Sequence, residues 1–118
     1  MKTLKVYQYP QCDTCRKALK FLAARGVAYE SVNIVENPPS AAELAKMAKA
    51  VGEIKKLFNT SGQLYREMGL SEKVGKLSSE EAIDLLSRHG KLIKRPFVLQ
   101  GNTALVGFRE EEWKKVFP

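Results

Sequence analysis

Cysteine and histidine are scarce in this chain of 118 residues, which has two cysteines, Cys12 and Cys15, and one histidine, His89. A structural zinc site takes about four such ligands, and no second CxxC motif exists to complete one. No run of about 18 apolar residues occurs, so no membrane-spanning helix is expected. No apolar leader opens the sequence either, and the expected compartment is the reducing cytoplasm. In that compartment a lone cysteine pair is more often catalytic or redox-sensing than a structural staple. Acidic residues are in deficit, 13 against 20 basic ones, for a net charge of +7. The excess is scattered: Lys46, Lys49, Lys55, Lys56, Lys73, Lys76, Lys114 and Lys115 read as solvated helix faces. Such charge favours weak association with polyanions. Nothing resembles a recognition helix or an aromatic-plus-basic RNA platform, so no direct nucleic-acid site is expected. Internal repeats and low-complexity segments are absent. With 44% hydrophobic and 28% charged residues, the composition is that of one globular domain large enough for a real core, expected to be a monomer.

What the chain does have is a cysteine pair in a particular place. Leu4-Lys5-Val6-Tyr7-Gln8-Tyr9 alternates with the period of a short strand, and Pro10 breaks it. Downstream, Cys15, Leu19 and Leu22 recur at helical spacing beside Phe21, and Gly26 stops the pattern. Cys12 therefore falls at the start of a helix, where unpaired backbone N–H groups and the dipole favour an anion such as a thiolate. Thiols in this setting with cations nearby drop from about 8.5 to roughly 3.5–7.5. Arg16 and Lys17 supply the cations, and Asp13 opposes them, so a moderate depression is expected. Residues three apart in a first helical turn lie within disulfide range. Cys12 can thus attack and Cys15 can resolve. Two buried small residues, or half of a zinc site, would not need this strand-turn-helix placement, whereas CxxC beside a βαβ pattern reads as thioredoxin-like.

Further along, Val27 to Ile34 alternates as a second strand, which completes a βαβ unit of the right-handed parallel kind. Asn37-Pro38-Pro39-Ser40 is a loop ending in a helix cap, since Ser40 with Glu43 forms a capping box. A helix from Ala41 to about Val51 follows, closed near Gly52. Glu53 to Phe58 reads as a short helix, Asn59-Thr60-Ser61-Gly62 as a turn, and Gln63 to Met68 as another helical piece ended by Gly69. Ser78 or Ser79 caps a helix from Glu80 to Arg88, with Ile83, Leu85 and Leu86 inward and Gly90 ending it. His89, in that last turn, suits a capping or solvent role. Phe97 to Gln100 and Thr103 to Val106 flank Gly101-Asn102, a two-residue hairpin signal for antiparallel strands. A final helix covers about Glu110 to Val116. The predicted fold is α/β: a thioredoxin-like three-layer arrangement with a mixed four-stranded sheet. It comprises a βαβ half over 1–36, a mainly helical insertion over 40–90 and a ββα half over 95–118. Arg95-Pro96 opens the third strand, where proline is tolerated and where thioredoxin folds set a cis-proline against the redox cysteine. Arg109 precedes Glu110-Glu111-Glu112, whose carboxylates suit a first helical turn.

Three stretches together carry a resemblance. Tyr9-Pro10-Gln11-Cys12-Asp13-Thr14-Cys15-Arg16-Lys17-Ala18, Lys94-Arg95-Pro96-Phe97 and Val106-Gly107-Phe108-Arg109 resemble the arsenate reductase-related family, which also includes the Spx and MgsR redox regulators. The resemblance extends over nearly the whole chain, through Asn59-Thr60-Ser61-Gly62 to the ending Trp113-Lys114-Lys115-Val116-Phe117-Pro118. It implies a thioredoxin-like fold with a helical insertion. For the reductase branch it implies a nucleophilic cysteine at Cys12, an oxyanion gripped by Arg95 and Arg109, and reductant from glutathione or a glutaredoxin or thioredoxin. Thr14 and Arg16 join the anion-binding candidates, and Pro96 shapes the site.

The departures matter as much. The reductase branch carries His-Asn ahead of its proline where this chain has Gln8-Tyr9, and serine where it has Cys15. A third arginine belongs near Asn59 to Ser61, and Arg66 comes several residues later. Removing one bidentate arginine from the grip on a tetrahedral dianion costs on the order of 1.5–3 kcal/mol, so arsenate turnover is expected to be weak or absent. The CxxC is nearer the Spx and MgsR branch, whose members bind RNA polymerase and use the pair as a switch. Three readings therefore stand: a thiol-dependent reductase acting on a small oxyanion or thiol substrate, a redox-switched regulator contacting RNA polymerase, and a member of the fold whose chemistry is lost. The reductase is the preferred one, because its chemistry follows from the residues while a polymerase contact follows only from kinship.

Overall fold

A computed structural model describes residues 3–101 and 103–117. The chain divides into two compact units, Met1–Asn33 with Arg95–Pro118, and Ile34–Lys94.

The first unit is built on strands β1 (Leu4–Gln8), β2 (Tyr29–Asn33), β3 (Phe97–Gln100) and β4 (Thr103–Val106), with helices α1 (Asp13–Ala24) and α6 (Glu110–Val116). Sheet order is β2-β1-β3-β4. β1 and β2 run parallel from Leu4↔Tyr29 to Gln8↔Asn33, while β3 runs antiparallel to β1 and to β4. The class is α/β with a mixed sheet. Register Val6↔Val98↔Leu105 puts these apolar residues on one face, where they pack with Ala18 and Leu22 of α1 and Trp113 of α6. Tyr7 and Phe97 project from the opposite face and meet edge to face. Gln100↔Thr103 closes the β3–β4 hairpin; of the Gly101-Asn102 turn signal, Asn102 lies outside the described residues.

The buried stripe of α1 is Cys15, Ala18, Phe21 and Leu22, so the expected Cys15-Leu19-Leu22 stripe needs correcting. Leu19 packs only partly buried at its edge. At 100° per residue the stripe centres between Cys15 and Ala18, and Leu19 falls on its rim. Trp113 is wholly buried, with Phe21, Phe108 and Phe117 around it. Its indole Nε1–H donates to Gly107 O at 3.2 Å, satisfying the one polar group that burial would otherwise leave unpaired.

The second unit is helical: α2 (Ala41–Val51), α3 (Gln63–Glu67), α4 (Leu70–Lys73) and α5 (Ser79–Arg88), joined by 3-10 turns at Ile54–Leu57, Val74–Lys76 and Gly90–Leu92. Both long helices start in capping boxes, Ser40 with Glu43 and Ser78 with Glu81. Gly52 ends α2 at φ 97°, a left-handed conformation that glycine adopts without steric cost. The piece expected over 53–58 is 3-10 rather than α. On α5 the wholly inward residues are Ala82 and Leu86; Ile83 and Leu85 are half-buried, because a stripe of spacing four leaves its flanking positions at the margin. His89 is the C-cap of α5. Gly90 follows it, but for a reason other than helix termination: a Cβ there would overlap the carbonyl of Ile34. Backbone bonds from Asn59 N to Leu92 O and from Lys94 N to Leu57 O, each 2.7 Å, tie the segments together. Among the described residues no helix is long and apolar enough to cross a membrane.

Candidate active site

The turn after β1 sets Cys12 at the N-cap of α1, with extended backbone at φ −97° and ψ 113°. Its N–H donates to Tyr9 O at 3.0 Å, and its carbonyl accepts the first helical bond from Arg16 N at 3.1 Å. The sulfur takes the place that a serine or aspartate oxygen holds in an ordinary cap: Cys15 N–H donates to Cys12 Sγ at 3.2 Å. The orphan N–H of the helix is thus aimed at sulfur, the arrangement that favours negative charge there. Cys12 is half-exposed and Cys15 buried, and both are free thiols.

Burial pushes the Cys15 thiol from an ordinary 9.0 up to about 12, helped by its hydrogen bond with Cys12 and by the Cys12 charge. A hydrogen bond from the Tyr9 backbone and the positive charge of Arg95 pull the other way. A thiol whose folded value exceeds its unfolded value contributes stability that is complete below the unfolded value and is lost as pH rises through the folded one. Unfolding free energy should therefore fall between pH 9 and about 12. Chemical denaturation across that range checks this: Cys15→Ala should flatten part of the decline, and a slope identical to wild type would contradict it.

Arg95 is half-buried at the foot of β3, its Nε enclosed and its guanidinium carbon 5.0 Å from the centre of the Tyr9 ring. The Arg95–Pro96 peptide is cis. Pro96 O accepts a hydrogen bond from Gly107 N at 2.9 Å, which ties the turn after β4 to the proline. Arg109, two residues beyond Gly107, is exposed at the N-cap of α6. Thr14 is exposed in the first turn of α1. Arg16 is exposed and already engaged: Nε donates to Pro10 O at 3.1 Å, and its Nη1 pairs with Asp13 Oδ1 at 3.2 Å. Cys12, Cys15 and Arg95 are thus gathered by direct interactions. Pro96 follows Arg95 in sequence, and Arg109 is linked to the proline through the backbone of the β4–α6 turn. Sequence reasoning missed Tyr9, whose ring, carbonyl and N–H each serve a different member of the group. Its position just after β1, directly before the proline of the cysteine loop, is the available signal for its backbone bonds.

The ArsC family model matches residues 7–116, and the chain belongs to this family. It is 43% identical over 114 residues to protein YusI of Bacillus subtilis (strain 168), covering 96% of this chain and 97% of that one. A Bacteroides fragilis protein described as ArsC family related superposes with a TM-score of 0.92 at 42% identity, covering 98% of each chain. More distant relatives include proteins of two named activities. An arsenate reductase of Neisseria meningitidis serogroup A is 30% identical over 109 residues, covering 91% of this chain and 92% of the relative. The global transcriptional regulator Spx of Streptococcus mutans is 28% identical over 110 residues, covering 92% of this chain and 79% of the relative. The thiol-redox family read from the cysteine loop is therefore the right one.

Proposed function

We propose that this protein is a thiol-dependent reductase in which Cys12 is the nucleophile and Cys15 the resolving thiol. The observation that supports it most is the pairing of a half-exposed sulfur at a helix N-cap with a buried thiol one turn behind it. Cys12 sulfur attacks one sulfur of an oxidised substrate; a bond forms between them, the substrate's S–S bond breaks and its other half leaves as thiolate. Cys15 then gives up its proton and attacks Cys12 Sγ. The substrate's remaining half is released, and an intramolecular disulfide is left in the protein. Two electrons pass from the cysteine pair to the substrate. Two glutathione thiols, or the two thiols of a glutaredoxin or thioredoxin, return them and are themselves left joined as a disulfide. An oxyanion in the same place would be held by Arg95 and Arg109. The turn Asn59-Thr60-Ser61 offers no arginine, which argues against arsenate as the main substrate.

Mild peroxide should remove both free thiols and leave monomeric protein with one internal disulfide, read by thiol titration and intact mass. Dimers joined by disulfide, or near-stoichiometric zinc in protein purified without chelator, would contradict the reading. The Spx relative and the CxxC itself support a second reading, a redox-switched regulator. Capture of RNA polymerase that depends on the state of the cysteine pair, with no thiol–disulfide turnover, would favour it over the first.

A further inference from the structure

Arg16 is the cation nearest to Cys12 in sequence, yet its guanidinium is committed. Nε is tethered to the Pro10 carbonyl and Nη1 to the Asp13 carboxylate. Asp13 occupies the first helical position after the Cys12 cap, so its charge stands where the N-terminus of α1 would otherwise attract an anion. Both side chains are mostly exposed, with 63% of Arg16 and 86% of Asp13 accessible. They therefore stand at the mouth of the cysteine loop. In its first turn α1 thus presents a neutralised pair where an oxyanion site would present a free positive charge.

We propose that Asp13 is a specificity-determining residue, which selects disulfides of low net charge over doubly charged oxyanions for reaction at Cys12. This rests on the reading of Cys12 as the nucleophile. The physical basis is short-range. The excess basic charge is spread over the chain and is screened beyond about 8–10 Å, whereas Asp13 is the residue next to Cys12, in the first turn of the helix that Cys12 caps. A carboxylate there repels each negative charge of an approaching ligand and competes with it for the helix N-terminus. A dianion is penalised twice, a neutral disulfide not at all. Asp13 also holds Arg16 away from the ligand. Loss of the carboxylate would add one effective positive charge to the mouth, and loss of the guanidinium would add one negative charge.

The test uses three small disulfides of similar length and different charge: hydroxyethyl disulfide (neutral), cystamine (cationic) and dithiodiglycolate (dianionic). Attack by Cys12 forms one mixed S–S bond, breaks the probe's own and releases one thiol, whose appearance gives the rate. In Asp13→Asn the rate with dithiodiglycolate relative to hydroxyethyl disulfide should rise about three- to tenfold, and the relative cystamine rate should fall comparably. Arg16→Gln breaks the same ion pair while leaving the carboxylate, and should move both ratios the opposite way. Ratios that stay fixed in both variants, or shift in the same direction in both, would overturn the inference, since the pair would then act as a structural tie. Failure of Cys12 to form a mixed disulfide with any probe would bring down the nucleophile assignment along with it.

Discussion

Replacing Cys12 by serine is expected to lower thiol–disulfide exchange on the order of a thousandfold or more, the scale at which enzymes lose activity with their nucleophile. Cys15→Ser should behave differently: the first attack proceeds, and protein accumulates as a mixed disulfide carrying one half of the substrate. The asymmetry follows from the two sulfurs' surroundings. Cys12 is reachable from solvent, while Cys15 is fully buried and its proton is held up to about 12. Two of the influences that keep that proton in place, the hydrogen bond with Cys12 and the Cys12 charge, disappear once Cys12 is bonded to substrate. The Arg95 charge and the Tyr9 backbone, which act to release it, remain. In the proposed sequence the first step therefore lowers the Cys15 value, while burial, the largest influence, continues to hold it up. Intact mass after a single turnover distinguishes the cases. A mixed disulfide trapped in Cys12→Ser rather than in Cys15→Ser would reverse the roles.

Much of this was legible in the residues, and the reason is local. Ser40 with Glu43 starts α2 and Gly52 ends it, because a capping box and a left-handed glycine are decided within one turn of chain. The hairpin strands and α6 were read with the bounds they have, since period-two alternation and an acidic first turn are likewise local signals. Where tertiary packing decides, the reading weakened. Leu19 and Ala18 exchange places in the α1 stripe because sheet residues Val6 and Val98 choose which side faces in. Gly90 looked like a helix stop, but it is required by the carbonyl of Ile34, distant in sequence. The cysteine pair of the candidate site declared itself through spacing. Tyr9 did not declare its ring contact, which depends on where β3 brings Arg95; its place directly before the proline of the cysteine loop signals only its backbone bonds to the cysteines. The sequence presents Arg16 as a cation beside Cys12 opposed by Asp13, but a single sequence position does not show that Pro10 and Asp13 both bond to it.

Truncating Trp113 should produce the largest loss of stability of any single change in the first unit. Trp113→Ala removes a fully buried indole packed against Phe21, Phe108 and Phe117, a loss that typically costs about 3–5 kcal/mol. Against a whole-domain stability of about 5–15 kcal/mol, that leaves a marginal fold. Trp113→Phe separates packing from hydrogen bonding. Phenylalanine keeps a ring in the cluster but leaves Gly107 O without the indole donor, which should cost about 1–3 kcal/mol for an unsatisfied buried acceptor. The second variant also bears on the site. Gly107 accepts from Trp113 through its carbonyl and donates to Pro96 through its N–H, so the indole helps hold the turn that leads to Arg109. Urea unfolding measures both losses. A loss below about 1 kcal/mol for Trp113→Ala, well under the range for buried aromatic truncation, would show that the aromatic cluster does not carry the fold of this unit.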